Sequence, residues 1–404
     1  MKNLTGVERE EEKKPPSCRQ KNPNESLNIS ISYFREGKIQ KALILCEGMF
    51  DSAEGKSTHG LLRYSKRFEI VGVIDSTHAG EDSGYLLDGV PNGIPFYGSL
   101  GEALSKVSGV KYLIVGVATD GGKLPQSFRE TVKDAMRNGL NIVSGLHEFL
   151  SDEKEFSEIA NLYGVKIIDV RKLASGSHFF TGEIEKVKAV KIAVLGTDSA
   201  IGKRTTALII KEALENAGLK VAFIGTGQTS WMQGEKYVTI IDSTINDFVS
   251  GELEHTVVQA YNEMHPDVII IEGQGSILHP AYPGGFEIIA STRPDGIILQ
   301  DAPKRMKFDG FPKYAIPSLK RFIFVLEALS GKKVIAVTIN HENMKRWELP
   351  KIERSIEKRY HLPATDVIWD GTDKISGVIL SAFPCLKNKV KTMKKRGILS
   401  KVAV

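Results

Sequence analysis

The most informative segment of this chain reads Lys191-Ile192-Ala193-Val194-Leu195-Gly196-Thr197-Asp198-Ser199-Ala200-Ile201-Gly202-Lys203-Arg204-Thr205-Thr206. An apolar run leads into a glycine-bounded loop, and a helical pattern then continues to Asn216. Glycines let backbone N–H groups converge on an anion, the helix N-terminus adds partial positive charge, and Lys203 can reach the outer phosphates. The segment therefore predicts a strand, a phosphate-binding loop and a helix, in that order.

Two departures from the usual phosphate-loop pattern affect this prediction. The two glycines are one residue further apart than usual, and Arg204 stands where a Ser or Thr is expected. Thr205 or Thr206 can supply the missing hydroxyl group. We predict that residues 196–206 bind the phosphates of a cofactor, and a purely structural strand-to-helix turn is the alternative.

Composition and charge narrow the class of protein. The chain has 404 residues and a net charge of only +5, and its length is enough for two domains. Its three cysteines lack metal-ligand spacing, no apolar run is long enough for a membrane span, and the first residues lack a signal-peptide core. We expect a cytoplasmic homo-oligomer that acts on a small molecule and binds neither nucleic acid nor membrane.

Apolar runs alternate with helical patterns in both halves of the chain, which is typical of parallel sheets covered by helices. Strands are predicted at 42–46, 70–74, 112–117, 141–144 and 165–169, and again at 192–195, 221–224, 238–241, 268–271, 296–299 and 334–338. Helices are predicted at 57–66, 100–107, 126–138, 205–216, 244–264, 318–329 and 345–358. The fold class is therefore α/β.

Four regions follow from this pattern. We predict a disordered arm at 1–25, a Rossmann-like domain at 26–180, a P-loop NTPase-like parallel-sheet domain at 181–385, and a basic tail at 386–404. The tail is rich in lysine but has no interleaved aromatic residues, which favours a solvated terminus over a nucleic-acid or membrane contact.

Polar residues follow the predicted strands of the second half, where open parallel sheets bind their ligands. Glu272 follows four apolar residues, and an acid in this place suits a magnesium ion opposite bound phosphates. Asp242 is the second candidate metal ligand and Thr205 the third, while a capping or turn role is the alternative for both carboxylates. The predicted substrate-binding residues are Gln228, Thr229, Ser230, Gln274, Tyr282 and Arg305, and each has an ordinary structural role as its alternative.

The first half contains weaker signals. Residues 47–57 end like a second phosphate loop with Gly55-Lys56-Ser57, but the glycine spacing is too long, which favours a simple helix start. Asp75 lies where a Rossmann domain places its ribose-binding acid, although no glycine-rich fingerprint precedes it. We expect this domain to contribute one face of a shared cleft.

The segment from Gly196 to Lys203 resembles the phosphate loop of dethiobiotin synthetase and its relatives, and Glu272-Gly-Gln-Gly275 is similar to their metal-binding segment. That resemblance implies that Glu272 helps to bind Mg²⁺. The departure is Arg204, which replaces the threonine that follows the lysine in that family.

Over nearly its whole length the chain more closely resembles a two-domain family once described only as of unknown function. The shared motifs are Gly196-Thr-Asp-x-x-x-Gly-Lys203, Thr226-Gly-Gln-Thr229 and Glu272-Gly-Gln-Gly-Ser-x-x-His-Pro-Ala-Tyr282. The family includes D-glutamate N-acetyltransferases, which use acetyl-CoA. The resemblance implies a Rossmann-like domain followed by a P-loop domain.

Three functions follow from these signals. The first is transfer of an acetyl group from acetyl-CoA to the amine of a D-amino acid such as D-glutamate, with His279 or Glu272 as general base. The second is ligation or phosphorylation that depends on ATP and Mg²⁺, as in dethiobiotin synthetase. The third is a nucleotide-binding regulatory role without small-molecule chemistry.

Overall fold

The computed structural model describes residues 39–174 and 176–395, with side chains as far as residue 393. Two parallel sheets carry helices on their faces, which confirms the α/β class, and a short antiparallel hairpin is added to the second half. The predicted arm at 1–25 and the end of the predicted tail lie outside the described residues. In the part that is described, every helix is too short or too polar to span a membrane.

The first sheet has the strand order of a Rossmann fold. Its strands are β1 (Gln40–Leu45), β2 (Phe68–Ile74), β3 (Phe96–Tyr97), β4 (Val110–Val115), β5 (Asn141–Ser144) and β6 (Ile167–Asp169). They are arranged β3-β2-β1-β4-β5-β6 with every neighbouring pair parallel. The α-helices of this half are α1 (Lys56–Arg63), α2 (Ser83–Asp88), α3 (Leu100–Lys106), α4 (Arg129–Arg137) and α5 (Lys154–Tyr163).

The second sheet is larger and is built around its first strand. Its strands are β7 (Val190–Gly196), β8 (Val221–Gly225), β9 (Tyr237–Val238), β10 (Val268–Glu272), β11 (Gly296–Asp301), β14 (Val334–Ile339) and β15 (Ala364–Thr365), while β12 (Lys307–Phe308) and β13 (Phe311–Ala315) form the hairpin. The order is β15-β14-β11-β7-β10-β8-β9, and all of these pairs are parallel.

Eight helices of the described residues accompany this second sheet. They are α6 (Lys203–Asn216), α7 (Gln228–Gln233), α8 (Asn246–Met264), α9 (Gly285–Thr292), α10 (Leu319–Ser330), α11 (Leu349–Tyr360), α12 (Asp373–Ala382) and α13 (Pro384–Lys395). Helix α13 crosses the predicted start of the basic tail at residue 386, and Leu386 and Val390 are packed into the core. The other domain boundaries remain predictions.

Strand β7 explains why the second half folds around the phosphate-loop segment. All seven of its residues are buried, as expected for the central strand of a parallel sheet with both faces covered. Successive side chains point to opposite faces, so that Ala193 and Leu195 join one apolar cluster while Ile192 and Val194 join the other. The carboxyl end of β7 therefore delivers the loop to the middle of the sheet edge.

Candidate functional site

The loop between β7 and α6 has the backbone geometry of an anion site. Gly202 has a φ of 87° and Ala200 a φ of 49°, and both angles lie in the left-handed region that reverses the chain before the helix. Helix α6 begins at Lys203, so the N–H groups of its first turn have no partner within the helix. These groups and the helix dipole face the carboxyl edge of the sheet.

Lys203 lies inside this loop and is only 6% exposed. Its ammonium group donates a hydrogen bond to the backbone oxygen of Asp198 at 2.6 Å. Close packing of the aliphatic stem requires glycine nearby, because a Cβ at Gly196 would lie 2.8 Å from Lys203 Cδ. Burial lowers the pKa of Lys203 to about 7, against an opposing effect of the Asp198 carboxylate and with help from the Lys56 charge. A bound anion would restore the charge that burial disfavours.

Asp198 holds the loop together through a fully buried carboxylate. It accepts hydrogen bonds from Arg305 Nη1 at 3.0 Å and from the backbone N–H groups of Ser199 at 2.7 Å and Asp309 at 2.9 Å. Arg305 also donates to the Ser199 carbonyl at 2.9 Å and pairs with Glu342. The guanidinium group of Arg305 therefore braces the loop, and its role in substrate binding stays a prediction.

Glu272 and Arg204 form a buried ion pair. Arg204 Nε donates to Glu272 Oε1 at 2.8 Å, and Glu272 Oε2 accepts from the Thr226 N–H at 2.9 Å and from Ser230 Oγ at 2.6 Å. The carboxylate is only 2% exposed. Both oxygens are therefore engaged, and a guanidinium cation lies at the place where a divalent cation would have to bind.

The predicted magnesium ligands do not fit a metal shell in this arrangement. Asp242 pairs with Arg171 at 2.6 Å, so the second candidate carboxylate also has its own cation. In the part of the chain that the structure describes, no group of three or more His, Cys, Asp or Glu side chains is placed to hold a metal ion. Thr205 is half-buried, and the hydroxyl of Thr206 donates to Gln300 at 2.8 Å. No chemical step is assigned to a metal here.

His279 is a poor general base in this geometry. Its side chain is fully buried, and Nδ1 accepts the backbone N–H groups of Ala281 at 3.1 Å and Tyr282 at 3.0 Å. The other nitrogen, Nε2, lies 3.5 Å from Asp198 and 3.4 Å from the Asp309 carbonyl. Burial lowers the pKa of this histidine, although Asp198 opposes the shift. The ring therefore shapes the turn that leads to Tyr282, and the prediction of a catalytic role for it is not supported.

The remaining predicted substrate residues lie in two places. Gln228, Thr229 and Ser230 begin helix α7, all of whose residues are buried. Gln274 lies beside Gly227, where a Cβ would come within 3.4 Å of the Gln274 side-chain oxygen, and Tyr282 is 48% exposed. Gln274 and Tyr282 remain predictions as substrate contacts, whereas Ser230 is already committed to Glu272.

Helix α7 of the second half contacts the first half of the chain at the carboxyl edge of the sheets. Thr229 Oγ1 lies 3.1 Å from Ser57 Oγ, and Gln233 donates to the Gly60 carbonyl at 2.8 Å, so that α7 contacts helix α1 directly. Arg67 Nε donates to the Trp231 carbonyl at 2.7 Å and strengthens the same contact. The first half of the chain therefore provides one wall of the space in front of the phosphate loop.

Two residues of this wall, Lys56 and Arg171, were not selected from the sequence as site residues. Lys56 is the first residue of α1, and Arg171 is the second residue after the end of β6. The rule that polar residues after parallel strands gather at one edge would have found both, if applied to the first half as to the second. The same rule does not predict that helices α1 and α7 of the two halves contact each other.

The comparisons with known proteins agree with this architecture. Residues 178–376 match the model "Domain of unknown function (DUF1611_C) P-loop domain", and residues 76–173 match "Domain of unknown function (DUF1611_N) Rossmann-like domain". A crystal structure of a DUF1611 family protein from Anabaena variabilis is similar with a TM-score of 0.78 and 28% identity, covering 85% of this chain and 99% of that one.

Two curated relatives carry the name D-glutamate N-acetyltransferase. The protein from Tritonibacter scottomollicae is 30% identical over 277 residues, which is 67% of this chain and 81% of the relative. The protein from a Pseudoalteromonas species is 30% identical over 274 residues, covering 66% of this chain and 80% of the relative. The chain belongs to the DUF1611 family, which confirms the two-domain family indicated by the sequence motifs.

Proposed function

We propose that this protein is an N-acetyltransferase that moves an acetyl group from acetyl-CoA to the amine of D-glutamate or a similar acidic D-amino acid. The observation that carries the proposal is the buried Lys203 inside a phosphate-loop backbone, in a family whose curated relatives are named D-glutamate N-acetyltransferase. The loop would bind the pyrophosphate of CoA through its N–H groups and the Lys203 ammonium group.

The pair formed by Arg204 and Glu272 supports acetyl transfer over ATP-dependent chemistry. ATP-dependent phosphoryl transfer uses a divalent cation held beside the phosphates, and the residues that would hold it are engaged with each other or with Arg171. Binding of CoA phosphates needs only cations and N–H donors, which this loop supplies. ATP-dependent ligation or phosphorylation is therefore the second candidate function, and a nucleotide-binding regulatory role is the third.

The chemistry requires only a few functions from the protein. The neutral amine attacks the thioester carbonyl carbon, the new C–N bond forms, the C–S bond breaks, and the thiolate of CoA leaves. A base must take the proton that the substrate ammonium loses, and solvent can fill this role since Glu272 and His279 are engaged. The chain's part in this proposal is to bind both substrates in contact, which lowers the entropic barrier to reaction.

The test is a direct comparison of ligands and activity. Calorimetry would measure the dissociation constants of acetyl-CoA and of ATP with Mg²⁺, and release of the CoA thiol would be followed with and without D-glutamate. We expect acetyl-CoA to bind and thiol release to require D-glutamate. Binding of ATP–Mg²⁺ alone, without thiol release, would overturn the proposal in favour of ATP-dependent chemistry.

A further inference from the structure

Two lysines occupy equivalent places in the two sheets. Lys56 is the first residue of the helix that follows β1, and Lys203 is the first residue of the helix that follows β7. Both strands lie in the interior of their sheets, and both helix N-termini are at the sheet edge where such folds bind ligands. The two ammonium groups are close enough for the charge of Lys56 to lower the pKa of Lys203.

Lys56 differs from the neighbouring cations Lys203, Arg204 and Arg171 because it has no partner among the described residues. Lys203 donates to a carbonyl oxygen, Arg204 pairs with Glu272, and Arg171 pairs with Asp242. The Lys56 ammonium group has neither a hydrogen bond nor an ion pair to any residue that the structure describes. Its side chain is half-buried. An unpaired cation in such a place is unfavourable unless a ligand supplies the missing charge.

Arg171 provides a second donor that lacks a partner. The residue is only 8% exposed and uses Nη2 to bind Asp242 at 2.6 Å. Its Nε is buried and has no hydrogen-bond partner among the residues that the structure describes. The charge of Arg171 also acts on Lys56, lowering the pKa of that lysine after the larger effect of burial. The turn that carries Arg171 (Val170–Leu173) also packs against α7, the helix that contacts α1, so Lys56 and Arg171 form one cluster of cations beside α7.

Carboxylates at the rim of this cluster indicate the kind of ligand. Asp309 accepts a hydrogen bond from Ser199 Oγ of the phosphate loop at 2.8 Å, and a Cβ at the neighbouring Gly310 would lie 4.0 Å from Asp120 Oδ1. The two acids therefore lie close together beside the loop, and their charges act to raise the pKa of Lys56. A polyphosphate extending from Lys203 to Lys56 would be repelled by them. An acidic amino acid offers a side-chain carboxylate to Lys56 and an ammonium group to the neighbouring acids, and this matches an unpaired cation next to acids.

We infer that Lys56 and Arg171 form a carboxylate-binding subsite for an acidic amino acid, opposite the phosphate loop and supplied entirely by the Rossmann-like half. This inference deepens the proposed function and rests on it for the identity of the substrate. The subsite is held in place relative to the loop by the contacts of α1 with α7, Ser57 to Thr229 and Gly60 to Gln233. Selectivity for acidic over neutral amino acids then follows from an ammonium group that would otherwise remain unpaired.

The experiment uses the full chain with Lys56→Met and Lys56→Arg, and with Lys111→Met as the matched control. Lys111 is exposed near the amino end of β4, on the far side of the sheet from the cluster. Calorimetry with D-glutamate and with acetyl-CoA gives the dissociation constants, and thermal unfolding checks that each variant is folded. We expect Lys56→Met to weaken D-glutamate binding about 10-fold or more, with acetyl-CoA binding within about twofold of wild type and partial recovery in Lys56→Arg.

The two proposals fail in different ways. Equal D-glutamate affinity in wild type and folded Lys56→Met overturns the subsite, and so does a loss confined to acetyl-CoA, which would assign Lys56 to the phosphate site. If D-glutamate binds and depends on Lys56 while no acetyl transfer occurs, the subsite stands and the proposed reaction is wrong. D-alanine as a second ligand sharpens the result: it has no side-chain carboxylate, so its affinity should agree within about twofold between wild type and Lys56→Met.

Discussion

The loops that follow β1 and β7 occupy the same place in their sheets but are built in different ways. After β1, the N–H of Gly48 bonds to Asp75 at 3.1 Å and that of Glu54 to Ser52 Oγ at 3.2 Å. The loop also buries its own Phe50, which is 3% exposed. Its backbone donors are thus largely used within the protein, and only the side chain of Lys56 is left for a ligand.

In the loop after β7, Asp198 uses the Ser199 N–H, but the N–H groups of the first turn of α6 remain for a ligand. The glycines of this loop allow the backbone to curl around Lys203, and the first turn of α6 has N–H groups without helical partners. Asp198 and Arg305 hold this shape from behind. Under the two proposals, one topological position serves two kinds of anion recognition, with backbone donors for phosphates in one domain and a single cationic side chain for a carboxylate in the other.

The largest expected effect is on the β7 loop. Lys203→Ala should weaken acetyl-CoA binding by about 30-fold or more, because a charge-assisted contact to the phosphates is lost. The variant should remain folded, because burial of the Lys203 charge destabilises the protein and the substitution removes that penalty. Calorimetry measures the affinity, and Lys220→Ala is the matched control, because Lys220 is exposed and lies before the amino end of β8. Unchanged acetyl-CoA affinity in Lys203→Ala would remove the loop from the site.

The affinity for acetyl-CoA should depend on pH through Lys203. Burial lowers the pKa of Lys203 to about 7, and a bound phosphate raises it, so binding takes up a proton above that pH. Acetyl-CoA affinity should be flat just below pH 7 and fall by up to about tenfold per pH unit above it. Lys203→Arg should flatten the profile, because guanidinium stays protonated. A wild-type profile that is flat between pH 7 and 9 would contradict this assignment.

The same pKa predicts how stability changes with pH. The ordinary value for lysine is 10.5 and the folded value is about 7, so between them the unfolded chain binds more protons at this site. The contribution of Lys203 to the free energy of unfolding therefore rises with pH across that window. Lys203→Met should remove this contribution, which denaturant unfolding of both proteins at pH 7 and 9 would measure.

A pair of glycine substitutions tests whether the backbone of each loop matters. Gly202 and Gly48 have φ angles of 87° and 66°, so alanine should strain both positions by about 1–2 kcal/mol. We expect Gly202→Ala to weaken acetyl-CoA binding about fivefold in addition to this loss of stability. Gly48→Ala should lower stability alone, since the β1 loop offers no backbone donors to a ligand. Equal effects of both variants on the affinity for acetyl-CoA would contradict the proposed difference between the two loops.

The smallest expected effect concerns metal. Acetyl-CoA affinity should change less than about twofold between a buffer with a chelator and one with Mg²⁺, because Arg204 already occupies the carboxylate of Glu272. A clear gain of affinity with Mg²⁺ that is lost in Glu272→Gln would restore Glu272 as a metal ligand. The isosteric Glu272→Gln substitution also leaves Arg204 unpaired, so its stability must be measured alongside.

The sequence was sufficient for the fold class and for the position of the phosphate loop, because the apolar run before Gly196 and the helix after Lys203 are local patterns. Short strands such as Phe96–Tyr97 and Ala364–Thr365 were missed, since two residues show no periodicity. Contacts between residues far apart in the sequence were also missed. Arg305 braces Asp198 across 107 positions of sequence, and no local pattern reports such a pairing.

The cross-domain residues show the same limit. The departure of Arg204 from the phosphate-loop pattern was visible in the sequence, but its consequence was not, because Glu272 lies 68 positions away. Lys56 stood in a segment that was read correctly as a helix start. Its functional meaning depends on the contact of α1 with α7, which the sequence of either domain alone does not contain.

The most direct test is a set of six dissociation constants, for acetyl-CoA and for D-glutamate, measured by calorimetry on wild type and on the Lys203→Ala and Lys56→Met variants. We expect opposite effects of the two substitutions. Lys203→Ala should bind acetyl-CoA weakly and D-glutamate normally, while Lys56→Met should bind D-glutamate weakly and acetyl-CoA normally. Loss of the same ligand in both variants would contradict this expectation, because the two lysines would then belong to one site.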